Sequence, residues 1–315
     1  MADPGAEGEI DASQERAPVR VASWRIHLGA HKTATTHLQG ALAARRKDLL
    51  RAGVEYVPLH RMRKAQVQSL RKRLDGEGAG RPARRAALIE ALLPNGPRRA
   101  AVALSDENLI GIPMTLLRRG LYPKAGRAVR FLSSLADDGA ELRLFLATRS
   151  LDTLLPSTYA EAARRRHVDG GFDGVRARIL SNPPRWSRLV DEIRKAAPNA
   201  ALSVWRYEDY PSRARRVAEL FLGVDPGDLD EGKRPGGTAT PSARAVAEAD
   251  ALPADLSVEA RWARTSDIYA ANPAAGPDDK FNPLSPEDRA ALRAVYDADM
   301  ERIEAAHPGV LMRWD

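Results

Sequence analysis

The chain has 315 residues, 43% of them apolar and 29% charged, enough for one large domain or two small ones with a real core. It holds no cysteine, which excludes disulfides, thiolate metal sites and a cysteine nucleophile; no run reaches the about 18 apolar residues of a membrane-spanning helix and no secretory leader opens the sequence, so a cytoplasmic protein with no membrane contact is expected. The net charge of +7, carried mostly by arginine, suits an anionic ligand, whereas 5% aromatic residues and the lack of zinc spacing, an RNP-like run or a helix-turn-helix signature argue against nucleic acid.

Residues 1–22 are small and charged without apolar period and read as a disordered lead-in; residues 23–315 read as a single domain. In "WRIHLGA" Trp24, Ile26 and Leu28 alternate up to Gly29, the pattern of a short strand ending in a turn. A helix follows in "TTHLQGALAARRKDLLRAG", with Thr35 as a candidate cap and Gly53 past its end. The stretch 61–85, "RMRKAQVQSLRKRLDGEGAGRPARR", holds two basic clusters around a glycine-rich break. It reads as a solvated basic excursion, with contact to an acidic acceptor as the alternative.

Further strands are expected at "RAAVALS" (99–105), "ELRLFLATR" (141–149) and "ALSVWRYE" (201–208). Helices are expected in "AGRAVRFLSSLADDG", "PPRWSRLVDEIRKAAP", "SRARRVAELFLG" and "LSPEDRAALRAVYDADMERIEAAH", and a surface loop in "GDLDEGKRPGGTATP". Strands alternating with helices predict an α/β fold, a parallel sheet flanked by helices on both faces.

The loop "GAHKTATT", between the first strand and its helix, is then a candidate phosphate site. Ligands of parallel sheets lie beyond the C-terminal strand ends, where a helix start offers free N–H groups to an anion. Lys32 adds a point charge, and Thr33, Thr35 and Thr36 add hydroxyl donors. A capped helix start with a surface lysine is the plain alternative. The Walker form GxxxxGK[ST] is absent, because His31 precedes Lys32 and no second glycine follows Gly29.

The sequence "GAHKTATTHLQ" resembles the phosphosulfate-binding loop of sulfotransferases that use 3'-phosphoadenosine 5'-phosphosulfate (PAPS), especially bacterial carbohydrate-type members. A second element of that family, an arginine at a strand end with a serine eight residues on, is matched by Arg149 and Ser157 in "ATRSLDTLLPSTYAEA". An arginine fork grips phosphate bidentately, and Ser157 beside Pro156 reads as a helix start facing the same anion. Softer matches in "SDENLIG", "VWRYEDY" and "LRAVYDADMERI" extend the resemblance over most of residues 24–306. Where the family often has an Asn-x-Ser turn, this chain has "GKRPGGTATPSA".

The resemblance implies a P-loop-NTPase-like sulfotransferase fold and transfer of a sulfuryl group from PAPS to a hydroxyl or amine of a glycan or small metabolite. It assigns nucleotide binding to Gly29, His31, Lys32, Thr33, Thr35, Thr36, Arg149 and Ser157, with Lys233 and Arg234 closing over the nucleotide. Lys32 would steady the 5'-phosphate and the departing oxygen, and no metal is demanded. Glu107, just beyond the strand 99–105, is favoured as the base that takes the acceptor proton; Glu55, after the loop's helix, is the alternative. Asp106 suits a capping role, and His31 and His37 are open between phosphate binding, packing and proton abstraction. A nucleotide kinase or other phosphotransferase, and a catalytically silent binding module, are the competing readings.

Overall fold

The structure, a computed structural model, describes residues 20–64, 81–227, 229 and 240–314. Five parallel strands, β1 (Ser23–His27), β2 (Val54–Val57), β3 (Ala101–Ser105), β4 (Glu141–Thr148) and β5 (Ala201–Arg206), form a sheet in the order β2-β3-β1-β4-β5. Parallel neighbours need crossovers, and helices supply them. Helices α1 (Thr35–Ala44) and α2 (Arg46–Arg51) lead from β1 to β2, and α3 (Leu59–Lys64) and α4 (Arg81–Leu92) lie between β2 and β3. Helices α5 (Pro113–Arg119) and α6 (Ala125–Ser133) lead to β4; α7 (Leu151–Ala163), α8 (Gly171–Ser181) and α9 (Trp186–Ala196) lead to β5. The chain closes with α10 (Tyr210–Leu222), α11 (Ala243–Asp250), α12 (Val258–Ala271) and α13 (Pro286–Ala306). The expected α/β architecture with both sheet faces covered is present.

Strand β1 is central and buried on both sides. Trp24, Ile26 and Leu28 enter the larger core, with Leu104, Leu144, Leu154, Trp186 and Ile303. The alternate residues meet the smaller core built by α1, α2 and α10, where Leu38, Phe145, Val217 and Phe221 pack. Arg25 lies on that face, buried, and is satisfied at a helix end: its Nε donates to the Phe221 carbonyl at 2.6 Å and its Nη2 to that of Leu220 at 2.8 Å. Cations belong at helix C-termini, where carbonyls lack intrahelical donors.

Four expectations change. Strand β2 is not among the expected strands, because four residues interrupted by a glutamate give too short a pattern, yet all four are buried. The helix after the loop breaks at Arg45 into two. Of the segment 1–22, residues 1–19 fall outside the described residues, whereas Val21 is buried, and the Ala22 N–H donates to the Ala100 carbonyl while its own carbonyl accepts from Glu141. Of the basic stretch 61–85, residues 61–64 end α3 and 81–85 begin α4, and 65–80 fall outside the described residues. Among the described residues no helix is long and apolar enough to cross a membrane.

Strands β2 and β3 lie on one side of β1, and β4 and β5 on the other. The C-terminal end of β1 is therefore the point where successive connections diverge, the place where sheets of this kind open a ligand crevice.

Candidate functional site

The loop leaves β1 at that crevice. It stays paired with β4 for three residues: the Leu28 N–H donates to Phe145 O, Ala30 N–H to Ala147 O, and Ala147 N–H to Gly29 O at 2.6 Å. Gly29 sits at φ +97°, and a Cβ there would fall 2.8 Å from the Glu107 Cβ. A side chain at position 29 is thus excluded twice, by conformation and by space.

Lys32 (φ 63°) and Ala34 (φ 61°) are both left-handed. This coil turns the Ala30 carbonyl inward, where it accepts from Thr33 Oγ1 at 2.7 Å and from Thr35 Oγ1 at 3.4 Å. Two of the three threonine hydroxyls expected to face a ligand therefore close the loop upon itself; Thr36 is exposed. Nor is Thr35 the cap. Ala34 takes that position with no side-chain cap, so the first-turn N–H groups of α1 keep their capacity for an external acceptor.

Helix α7 brings the other charges to Lys32. Lys32 Nζ lies 3.9 Å from Glu161 Oε2, and Arg164 Nη1 lies 3.9 Å from the same oxygen. Burial lowers the Lys32 ammonium below the usual lysine range; Glu161 opposes that, and Arg149 and Arg164 add to it. Arg149, one residue past β4, donates from Nη1 to the Lys32 carbonyl at 2.5 Å and from Nε to Thr153 Oγ1 at 3.0 Å. Its guanidinium lies 4.4 Å over the Tyr207 ring, and Trp186 Nε1 holds its carbonyl at 3.0 Å.

Ser157 is not at a helix start. Helix α7 begins after Ser150 and runs through Pro156, placing Ser157 in its second turn. Yet Thr153, Ser157 and Glu161 recur every four residues, on one face of α7. That face carries the Arg149 contact at one end and the Lys32 contact at the other, so Ser157 lies between them.

On the opposite side stands Glu107, first residue of a short 3-10 turn after β3. Its Oε2 accepts from Gln39 Nε2 at 3.0 Å and its Oε1 from Arg63 Nη2 at 3.4 Å. Gln39 also donates to the Ser105 carbonyl, and Ser105 Oγ meets His27 Nδ1 at 2.9 Å, so the carboxylate is anchored to the end of the sheet. Asp106 caps the turn, accepting from the Asn108 N–H at 3.0 Å.

His31 is buried behind the loop. The Tyr122 hydroxyl accepts its backbone N–H and meets its Nδ1, both at 2.9 Å, while Nε2 faces Asn108 Oδ1 at 3.3 Å. Because Asn108 Nδ2 donates to Asp106, the network assigns the proton to Nε2 and makes Nδ1 the acceptor of the tyrosine proton. Burial lowers His31 to about 4. Both nitrogens are spent on the fold, which leaves no lone pair for proton abstraction.

The remaining candidates lie apart. Glu55 is buried in β2, where Arg98 donates to it from its backbone N–H at 2.7 Å and from Nε at 3.1 Å. That carboxylate anchors the entry to β3, and the structure does not bring it to the loop. His37 Nδ1 meets the Tyr210 hydroxyl at 2.9 Å. Lys233 and Arg234 fall outside the described residues.

Sequence reading overlooked Gln39, Arg63, Tyr122, Thr153, Glu161 and Arg164. The four-residue spacing of Thr153, Ser157 and Glu161 was available as a signal once α7 is continued through the proline. Tyr122 had none, since its hydroxyl reaches His31 only across the fold. Among the described residues no three histidine, aspartate or glutamate side chains converge as a metal site would require.

No protein-family model matches the sequence, and no curated protein matches it. Solved structures similar to the chain include the following two. A sulfotransferase from Alicyclobacillus acidocaldarius covers 91% of this chain and 96% of its own, at 12% identity and a TM-score of 0.46. Retinol dehydratase, solved in complex with androsterone and inactive cofactor PAP, covers 94% of this chain and 84% of its own, at 12% identity and a TM-score of 0.33.

Proposed function

We propose that the chain is a PAPS-dependent sulfotransferase, moving a sulfuryl group to a hydroxyl or amine of a glycan or small metabolite. The observation that carries this reading is the bond from Arg149 to the Lys32 carbonyl at the divergence point of the sheet, which joins two cations of different elements around one uncapped helix start. The donor set fits a nucleotide with two separate phosphates. Lys32 Nζ and the first N–H groups of α1 suit one, and the Arg149 fork with Ser157 suits the other.

When bound, PAPS supplies a sulfuryl group joined to its 5'-phosphate through a bridging oxygen. Lys32 would neutralise charge growing on that oxygen as the bond breaks, a role in which a half-buried ammonium acts more strongly than one in water. Glu107 would take the proton of the acceptor hydroxyl. Its two observed contacts leave lone pairs open on both carboxylate oxygens, and Gln39 and Arg63 fix its direction. Little covalent work falls to the protein, as in phosphoryl transfer.

The test is incubation with sulfur-labelled PAPS and a panel of sugar, phenol and amine acceptors. Label appearing in any acceptor supports the reading. Transfer of phosphoryl from ATP, with none of sulfuryl from PAPS, replaces it with a phosphotransferase.

A further inference from the structure

Among the described residues the carboxylate paired with Lys32 is Glu161, and nothing in the proposed transfer uses it. Its side chain is 27% exposed, and it faces Lys32 and Arg164 from 3.9 Å, too far for a hydrogen bond to either. Among the described residues the Glu161 carboxylate makes no hydrogen bond. Among the described residues, four other carboxylates at the strand ends are tied into the fold. Glu107 is held by Gln39 and Arg63, Asp106 by Asn108, Glu208 by the Ser150 N–H and the Tyr296 hydroxyl, and Asp152 by Ser150 and Arg293.

Arg164 has partners besides Glu161. Its Nη2 donates to Ser266 Oγ at 3.1 Å, and its guanidinium lies 4.4 Å over Trp262 and 5.5 Å over Tyr269. Glu161 is therefore a loosely held negative charge aimed at the ammonium on which an anionic ligand must settle.

We propose that Glu161 is the internal counter-ion of Lys32, which a ligand must displace, and so sets the affinity an anion needs to occupy the loop. An anion that reaches only Lys32 exchanges one negative partner for another and also meets the repulsion of Glu161. An anion with a second charged group on Arg149 adds contacts that outweigh this cost. Glu161 thus weakens both kinds of anion by a similar factor, and the Arg149 contacts let the second kind occupy the loop. This deepens the reading of the loop as a nucleotide site and rests on it.

The experiment is titration calorimetry of the wild type, Glu161→Gln and Glu161→Ala with inorganic sulfate, ADP and 3'-phosphoadenosine 5'-phosphate, together with denaturant unfolding of all three proteins. Both variants should remain folded, since Arg164 keeps Ser266, Trp262 and Tyr269, and the unfolding curves show what loss of its nearby carboxylate costs. Sulfate and ADP should bind each variant about fivefold tighter or more, on the scale of one partly exposed ion pair, and 3'-phosphoadenosine 5'-phosphate, whose 5'-phosphate meets the same carboxylate, should gain by a similar factor. Unchanged or weaker sulfate and ADP binding in both variants overturns the proposal. If sulfate binds more tightly to the variants while the wild type does not distinguish the 3'-phosphorylated nucleotide from ADP, the counter-ion role stands and the PAPS reading fails.

Discussion

Arg149 Nη1 donates to the carbonyl oxygen of Lys32 at 2.5 Å. One residue thus supplies a cation near the crevice and holds the backbone of the residue supplying the other. Removing Arg149 would take away charge and loosen the left-handed turn at Lys32.

The position of Gly29 is the most stringent test of the loop. At φ +97°, with the Glu107 Cβ 2.8 Å from any added methyl, Gly29→Ala should destabilise the protein by about 1 to 3 kcal/mol. Denaturant unfolding measures this cost. Anion binding should fall in parallel, because Glu107 or the loop has to give way.

Lys32→Ala should lower the transfer rate far more than nucleotide affinity, since charge on the leaving oxygen grows only during bond breaking. Chelators should have no effect. Single-turnover rates and equilibrium binding, measured on the same variant, separate the two effects. A magnesium requirement combined with an unchanged transfer rate would favour a phosphotransferase.

The two carboxylates raised by the sequence should respond in opposite ways. Glu107→Gln should keep the fold and the nucleotide affinity and lower transfer about a hundredfold. Glu55→Gln should cost about 1 to 3 kcal/mol of stability, because a buried acceptor of two Arg98 donors is weakened. Transfer per folded molecule should stay near that of the wild type. Rates corrected for the folded fraction decide between them.

Stability should decline as pH falls from about 6.5 to about 4. Burial holds His31 down at about 4 and His27 at about 3, so over this range both are neutral in the folded chain while an exposed histidine in the unfolded chain takes up a proton. The unfolded state then binds more protons, so unfolding free energy rises with pH and is lost on acidification. Denaturant midpoints at several pH values should show the slope, and His31→Gln should flatten it by roughly 1 to 3 kcal/mol over the range.

The sheet was legible where strands are buried on both sides and long enough to show it: Trp24, Ile26 and Leu28, and the run before Arg149, mark β1 and β4 directly. Strand β2 escaped because Glu55 breaks an already short apolar run, and only the fold reveals that Arg98 neutralises it. The loop was legible as a turn into a helix, since Gly29, Lys32 and the threonines are contiguous. The direction of the threonine hydroxyls was not, because it depends on two left-handed residues, and nothing in an alanine and a lysine announces that conformation. The pairing of Lys32 with Glu161 was equally hidden, since it joins elements more than a hundred positions apart in the chain.

The central claim is that this crevice reads a nucleotide with a phosphate on its 3' position. Calorimetry of 3'-phosphoadenosine 5'-phosphate against ADP, on the wild type and on Arg149→Ala, tests it most directly. The account predicts that the wild type binds the 3'-phosphorylated nucleotide about ten- to a hundredfold more tightly, the value of a charged hydrogen-bonding partner, and that Arg149→Ala abolishes the difference. Equal affinity of the wild type for the two nucleotides would contradict it.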